Sequence, residues 1–148
     1  MKSKITIEKT FNLENIKLDL SKELNEAGRV IRDDHGKRLE RGRGVNGARM
    51  ENLKPSTIER KGFDQILVHT GDMKNLVIEK ATKGKQEVVI KPGDEEERNG
   101  VTNQQIGYYH QTGAGRLPKR EWFGISKGAE KRAFKIIELK IERVLRNA

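Results

Sequence analysis

Two places in this chain set an imidazole beside a hydroxyl: His69 next to Thr70, and His110 next to Tyr108 and Tyr109. Such pairs are the raw material of nucleophilic catalysis, in which a base takes the proton of an attacking oxygen. Neither pair sits in a nucleophile-elbow pattern. The sequence also has no HExxH, no phosphate loop and no Gly-rich dinucleotide signature after a strand. Asp33 and Asp34 are adjacent, so on a helix they diverge by about 100° and do not converge on a substrate. The acidic run Asp94-Glu95-Glu96-Glu97 lacks the alternating oxygen ligands of a calcium loop. It reads as a solvated loop, or as a mate for the basic surface of a neighbouring copy. His35, His69 and His110 are too far apart for a local zinc motif. With no Cys there is no disulfide framework and no thiolate metal site. The expectation is a protein that is not an enzyme and uses no cofactor or metal.

The chemistry that remains is non-covalent. Ile106 to Gly113 combines Tyr108, Tyr109, His110 and Gln111 with a glycine able to turn the chain. Arg116 to Ser126 follows, with Pro118 stiffening the approach to Arg120, Trp122, Phe123 and Gly124. Three readings stand: a core plug with a stiff connector, an interface anchor of the kind rich in Trp, Tyr and Arg, or a platform for stacking bases.

Hydrophobic spacing outlines the elements that would position these residues. Lys4 to Lys9 alternates like a short half-buried strand. Asn12 offers a helix N-cap, and Leu13, Ile16, Leu20, Leu24, Ala27 and Ile31 recur every three or four residues. The spacing predicts a helix over roughly 14–40, with breaks open at Asp19 or Gly28, and His35 on its surface or at an interface. Residues 41–65 read as an extended arm that orders against a partner. Three glycines in Gly42-Arg43-Gly44-Val45-Asn46-Gly47 disfavour a helix, and Pro55 starts at most one short helical turn. Arg41, Arg43 and Arg49 would give the arm its charge, and Val45, Met50 and Leu53 its anchors.

Asn75 to Ala81 and Gln86 to Lys91 resemble a β-hairpin, with Leu76 and Ile78 opposite Val88 and Ile90. Val77 and Val89 then point the other way, so neither face is wholly open to water. Asp94 to Gly100 reads as a polar loop. Ser126 caps a last helix from about Lys127 to Arg146, whose apolar stripe is Ala133, Phe134, Ile137, Ile141, Val144 and Leu145.

At 148 residues, 33% apolar and 36% charged, the chain has the size of one domain with a thin core. No run of about 18 apolar residues is present, so no membrane span is expected. Met1 to Thr6 is followed by no apolar stretch, which argues against a secretory signal. Of the formal net charge of +9, residues 108–148 contribute ten basic against four acidic side chains. That asymmetry fits a solvated helix face, an acidic partner or a nucleic acid.

In their order along the chain, these residues resemble the virion morphogenesis, or tail-completion, proteins of Mu-like and P2-like contractile-tailed phages. The family pattern "Tyr-Ala-x-x-His-Gln-x-Gly" is approached by Tyr108, His110, Gln111 and Gly113. "Pro-x-Arg-x-Phe-x-Gly" is approached by Pro118, Arg120, Phe123 and Gly124, with Trp122 added ahead of the aromatic. Upstream, Leu53 to Thr57 and Leu67 to Met73 match two further family steps. The resemblance implies a single α+β domain over 1–148, in which a long N-terminal helix and a C-terminal helix pack on a small antiparallel β-sheet, with an extended glycine-rich arm. It implies a structural protein that completes or terminates the tail and helps form the head–tail junction, or neck. Such a protein works as a homo-oligomer, a hexameric ring, against tail tube, sheath or connector proteins, in a virion assembled in the bacterial cytoplasm. Non-specific contact with phage DNA is compatible with the charge. A basic nucleic-acid-binding module is the alternative reading.

Overall fold

Ser126 ends an extended segment with its hydroxyl accepting the N–H of Ala129 at 3.2 Å, and from there the chain is helical over α4, Lys127–Arg146. The cap falls where the sequence places it, because Ser occupies the one position that can satisfy an orphan N–H of the first turn. The computed structural model describes residues 2–6, 18–67, 73–93, 96–98 and 100–147. The expected cap Asn12, the first part of the predicted N-terminal helix and His69, Thr70, Gly71 and Asp72 lie outside these residues.

The N-terminal helix, α1, spans Ser21–Glu40. Asp19 accepts the backbone N–H of Ser21 just ahead of it, and the helix runs through Gly28 without a break. Gly28 lets the helix approach the sheet closely: a Cβ there would stand 3.0 Å from a methyl of Val88. The inward stripe is Leu24, Ala27, Ile31, His35 and Leu39. Each fully buried Leu or Ile of this stripe contributes about 1.5–3 kcal/mol. His35 is therefore a core residue and not the surface or interface residue expected, since it shares the spacing of Ile31 and Leu39.

Three short strands form an antiparallel sheet in the order β1-β3-β2: β1 is Ser3–Thr6, β2 is Val77–Glu79 and β3 is Glu87–Lys91. Ile78 pairs with Ile90, Val77 with Lys91, and Ile5 with Val88. The predicted hairpin holds, but Leu76 precedes β2 and drops into the core. The polar stretch around 94–100 contains a small second sheet, β4 (Glu96–Arg98) against β5 (Val101–Thr102), in place of the expected loop. α1 packs across both β3 and α4. The molecule is thus an α+β fold in which the first and last long helices cover a small three-stranded antiparallel sheet.

Two more helices lie between. α2, Pro55–Lys61, starts on its proline, which lacks the N–H that a first turn leaves orphaned. α3, Asn103–Thr112, was not read from the hydrophobic spacing. Its signal is a capping box: Thr102 Oγ1 accepts from Gln105 N at 3.2 Å, and Gln105 Oε1 accepts from Thr102 N at 2.9 Å.

Candidate functional site

The residues singled out between Tyr108 and Gly124 form one hydrogen-bonded unit. α3 presents Gly107 and Gln111, one helical turn apart, to the strand-like segment that follows Pro118. The indole N–H of Trp122 donates to the carbonyl of Gly107 at 2.9 Å. The amide oxygen of Gln111 accepts the backbone N–H groups of Trp122 and Phe123, each at 3.1 Å. The backbone N–H of Arg120 donates to the carbonyl of His110 at 2.8 Å.

Trp122 is completely buried, with the ring of His35 at 5.3 Å and that of Phe123 at 5.4 Å. His35 Nε2–H donates to the carbonyl of Met73 at 2.9 Å, which fixes that ring against the turn leading to β2. Burial holds the His35 imidazole at a pKa of about 4, below the ordinary 6.5, so it is neutral at pH 7. Burial, with Arg120 and Lys61 nearby, brings His110 to about 4 as well.

In the sequence, Asp34 is weighed only beside Asp33, yet its partner is Arg38: an acid and an arginine four apart on one helix face are a legible pair. Arg38 Nε binds Asp34 at 2.9 Å, while its other two nitrogens donate to the carbonyls of Trp122 and Gly124. Asp34 also accepts from Ser126 Oγ at 2.8 Å and from Arg132 at 3.3 Å. Burial opposes the charge on Asp34, but the hydrogen bonds from Ser126 and Arg38 prevail and hold its pKa below the ordinary carboxylate value. The pair thereby ties α1 to the start of α4 through the aromatic segment.

Residues 41–54 lie against this unit within the same chain. The N–H of Val45 donates to the carbonyl of Glu121 at 2.9 Å. The Arg120 guanidinium donates to the carbonyls of Glu51 and Asn52 at 3.1 and 3.4 Å. Met50 is buried, Leu53 packs on the core edge, and Val45 touches Gly124. Arg41, Arg43 and Arg49 are exposed on the outer rim, where Arg43 and Arg49 bridge across a tight turn. Gly113 closes α3 in the left-handed region, and Pro118 is half-buried beyond it.

This arrangement also leaves large apolar side chains outside. Tyr108 is 55% exposed, Tyr109 and Leu117 are also exposed, and the two tyrosine rings meet edge to face at 6.4 Å. On α4, Phe134 is 61% exposed although it belongs to the predicted stripe; Ala129, Ala133 and Ile137 are the residues buried. Phe134 lines a cavity of about 200 Å³ with Ile5, Ile31, Ile125 and Ile137, and Lys4 and Glu130 are also on its wall. Among the described residues, no group of three or more His, Asp or Glu could hold a metal ion. Among them, no helix is long and apolar enough to cross a membrane.

No family model, curated protein or solved structure matches the chain.

Proposed function

We propose that this protein is a structural, non-catalytic component of a phage or phage-derived contractile tail, acting in tail completion at the neck or tail end as a homo-oligomeric ring. One observation carries the reading. The segment that carries the family resemblance divides by role: Gln111, Arg120 and Phe123, with the added Trp122, are engaged inside the chain, whereas Tyr108 and its neighbour Tyr109 face outward. A rigid platform that displays aromatic side chains without a reactive group suits docking better than turnover. Phe134 and its cavity lie on a different element, so two unlike apolar surfaces are available. Head-to-tail contacts between unlike surfaces give a ring when the rotation between copies closes, and an open filament when it does not. In this reading the rim of the predicted arm, Arg41, Arg43 and Arg49, is the part that reaches a neighbouring copy or a tail protein.

Sedimentation velocity and mass photometry on the full chain test the proposal. A ring-sized species, hexameric in the simplest case, is expected, and Tyr108→Ala with Tyr109→Ala should shift it to smaller species while the monomer stays folded. A chain that remains monomeric with and without tail-tube or connector proteins sinks the reading.

A further inference from the structure

The C-terminal half of α1, the segment at Arg43 and the first turns of α4 border an open cavity of about 460 Å³. Five of the residues that line it are cations and two are acids. Asp34 is fully engaged by Arg38, Ser126 and Arg132, and Asp33 lies beside Arg32 at 3.5 Å. Glu40, the carboxylate next along the helix, is held by Lys74. None of Lys37, Arg41 and Arg43 has an ion-pair partner among the described residues, and all three side chains are exposed. Arg43 spends one nitrogen on the carbonyl of Gly47 at 2.8 Å and keeps the rest of its fork open.

The cationic track continues. Arg132 lines both this cavity and a second open groove along α4, where Lys127, Lys131 and Lys135 follow at four-residue steps, about 6 Å apart along the axis, with Glu130, Glu138 and Phe134 among them. Lys135 reaches Glu138 at 3.3 Å, but with both side chains largely exposed that contact is well screened.

We propose that this cavity and track form a binding surface for the phosphate backbone of nucleic acid, with Lys37, Arg41 and Arg43 as its centre. The lining distinguishes this from a protein interface. Val30 is the one apolar residue on the wall of the central cavity, and no aromatic lines it; Phe134 borders only the α4 groove. Protein interfaces place apolar and aromatic residues at their centre, which this cavity lacks. Phosphate contacts need only cations with open donors, and arginine forks suit phosphate oxygens. Such binding is independent of base sequence. It shares Arg41 and Arg43 with the tail-assembly reading, and Phe134 borders the α4 groove, but it uses neither Tyr108 nor Tyr109, so duplex binding and oligomer size can be lost separately.

Fluorescence anisotropy with a labelled duplex of about 20 base pairs, run at several salt concentrations on the full chain, tests the proposal. Wild type should bind with affinity that falls steeply with salt. The K37Q/R41Q/R43Q variant should bind at least tenfold more weakly at low salt, with a log–log salt slope shallower by about 2.7. Arg41→Gln alone should make the slope shallower by about 0.9, which keeps the test open if the triple variant folds poorly. A control, K80Q/K83Q/K85Q, removes the same charge from around the β2–β3 turn and should leave both quantities near wild type. An equal loss in the control would show diffuse electrostatics and overturn the proposal. So would failure of wild type to bind duplex at low salt, or polyglutamate binding through Lys37, Arg41 and Arg43 in place of duplex.

Discussion

Gln111 pairs with the backbone of Phe123 at two points: its amide oxygen accepts the Phe123 N–H at 3.1 Å, and its amide nitrogen donates to the Phe123 carbonyl at 3.3 Å. A side chain here does what a neighbouring strand would do. The segment after Pro118 lies in no named strand, and Gln111 supplies what a β-ladder would have given it. Gln111→Glu removes the donor and sets a carboxylate against the Phe123 carbonyl. It should destabilise the protein by about 2 kcal/mol, more than the isosteric change suggests, as read from urea denaturation at pH 7. A midpoint unchanged from wild type would show that the pairing is dispensable.

Trp122 and Lys119 should separate core from surface. Trp122→Ala removes a fully buried ring and leaves the carbonyl of Gly107 without its donor, at a loss of about 3–5 kcal/mol. Lys119 is largely exposed beside Glu121, and Lys119→Ala should leave the urea midpoint at the wild-type value. Trp122 is the sole tryptophan, so native emission should be blue-shifted and move to the red on unfolding.

Acid should weaken the fold before the carboxylates titrate. The folded pKa of His35 is about 4 against an ordinary 6.5, so between those values the unfolded chain binds the proton and the folded chain does not. The stabilisation is complete above pH 6.5 and is lost as the pH falls toward 4, by at most about 3 kcal/mol. His110 acts in the same direction. Asp34, with its lowered pKa, adds its own loss only below the ordinary carboxylate range. Denaturation at pH 7, 5.5 and 4.5 should show the decline. His35→Leu should flatten it while costing stability at pH 7 through the lost hydrogen bond to Met73.

Gly44 is where the 41–54 segment meets the aromatic unit. A Cβ there would stand 2.8 Å from the carbonyl oxygen of Glu121, a backbone atom with little room to move. Gly44→Ala should therefore break the Val45 contact to Glu121, cost about 2 kcal/mol, and speed tryptic cleavage at Arg41, Arg43 and Arg49. Gly47→Ala meets no atom within 4 Å but sits at φ 81°, so it should cost less and leave the cleavage rate nearer wild type.

The parts legible in the sequence are those where local chemistry and spacing agree. Ser126 announces α4, Pro55 announces α2, and the alternation around Ile78 and Ile90 gives the faces of the hairpin. α3 escaped because Gly107 and the neighbouring polar residues leave it no apolar stripe, although Thr102 and Gln105 mark its start. The hub of Arg38 with the carbonyls of Trp122 and Gly124 joins positions far apart in the chain, and no local pattern encodes such a meeting. His35 misled because an imidazole is a polar type; its spacing from Ile31 and Leu39 was the better guide. The outward turn of Phe134 was hidden because a stripe says which side of a helix is apolar and not how much of it the partner helix reaches.

The partnership of α1 with α4 sets the timetable of synthesis. On the ribosome, the greasy side of α1 emerges early and waits for residues near the far end of the chain before its own cover exists. β1 waits likewise for β3, since Ser3 meets Ile90. Nascent chains are thus committed to a long interval of stickiness, in which a holding chaperone would have its target in Leu24, Ile31 and Leu39.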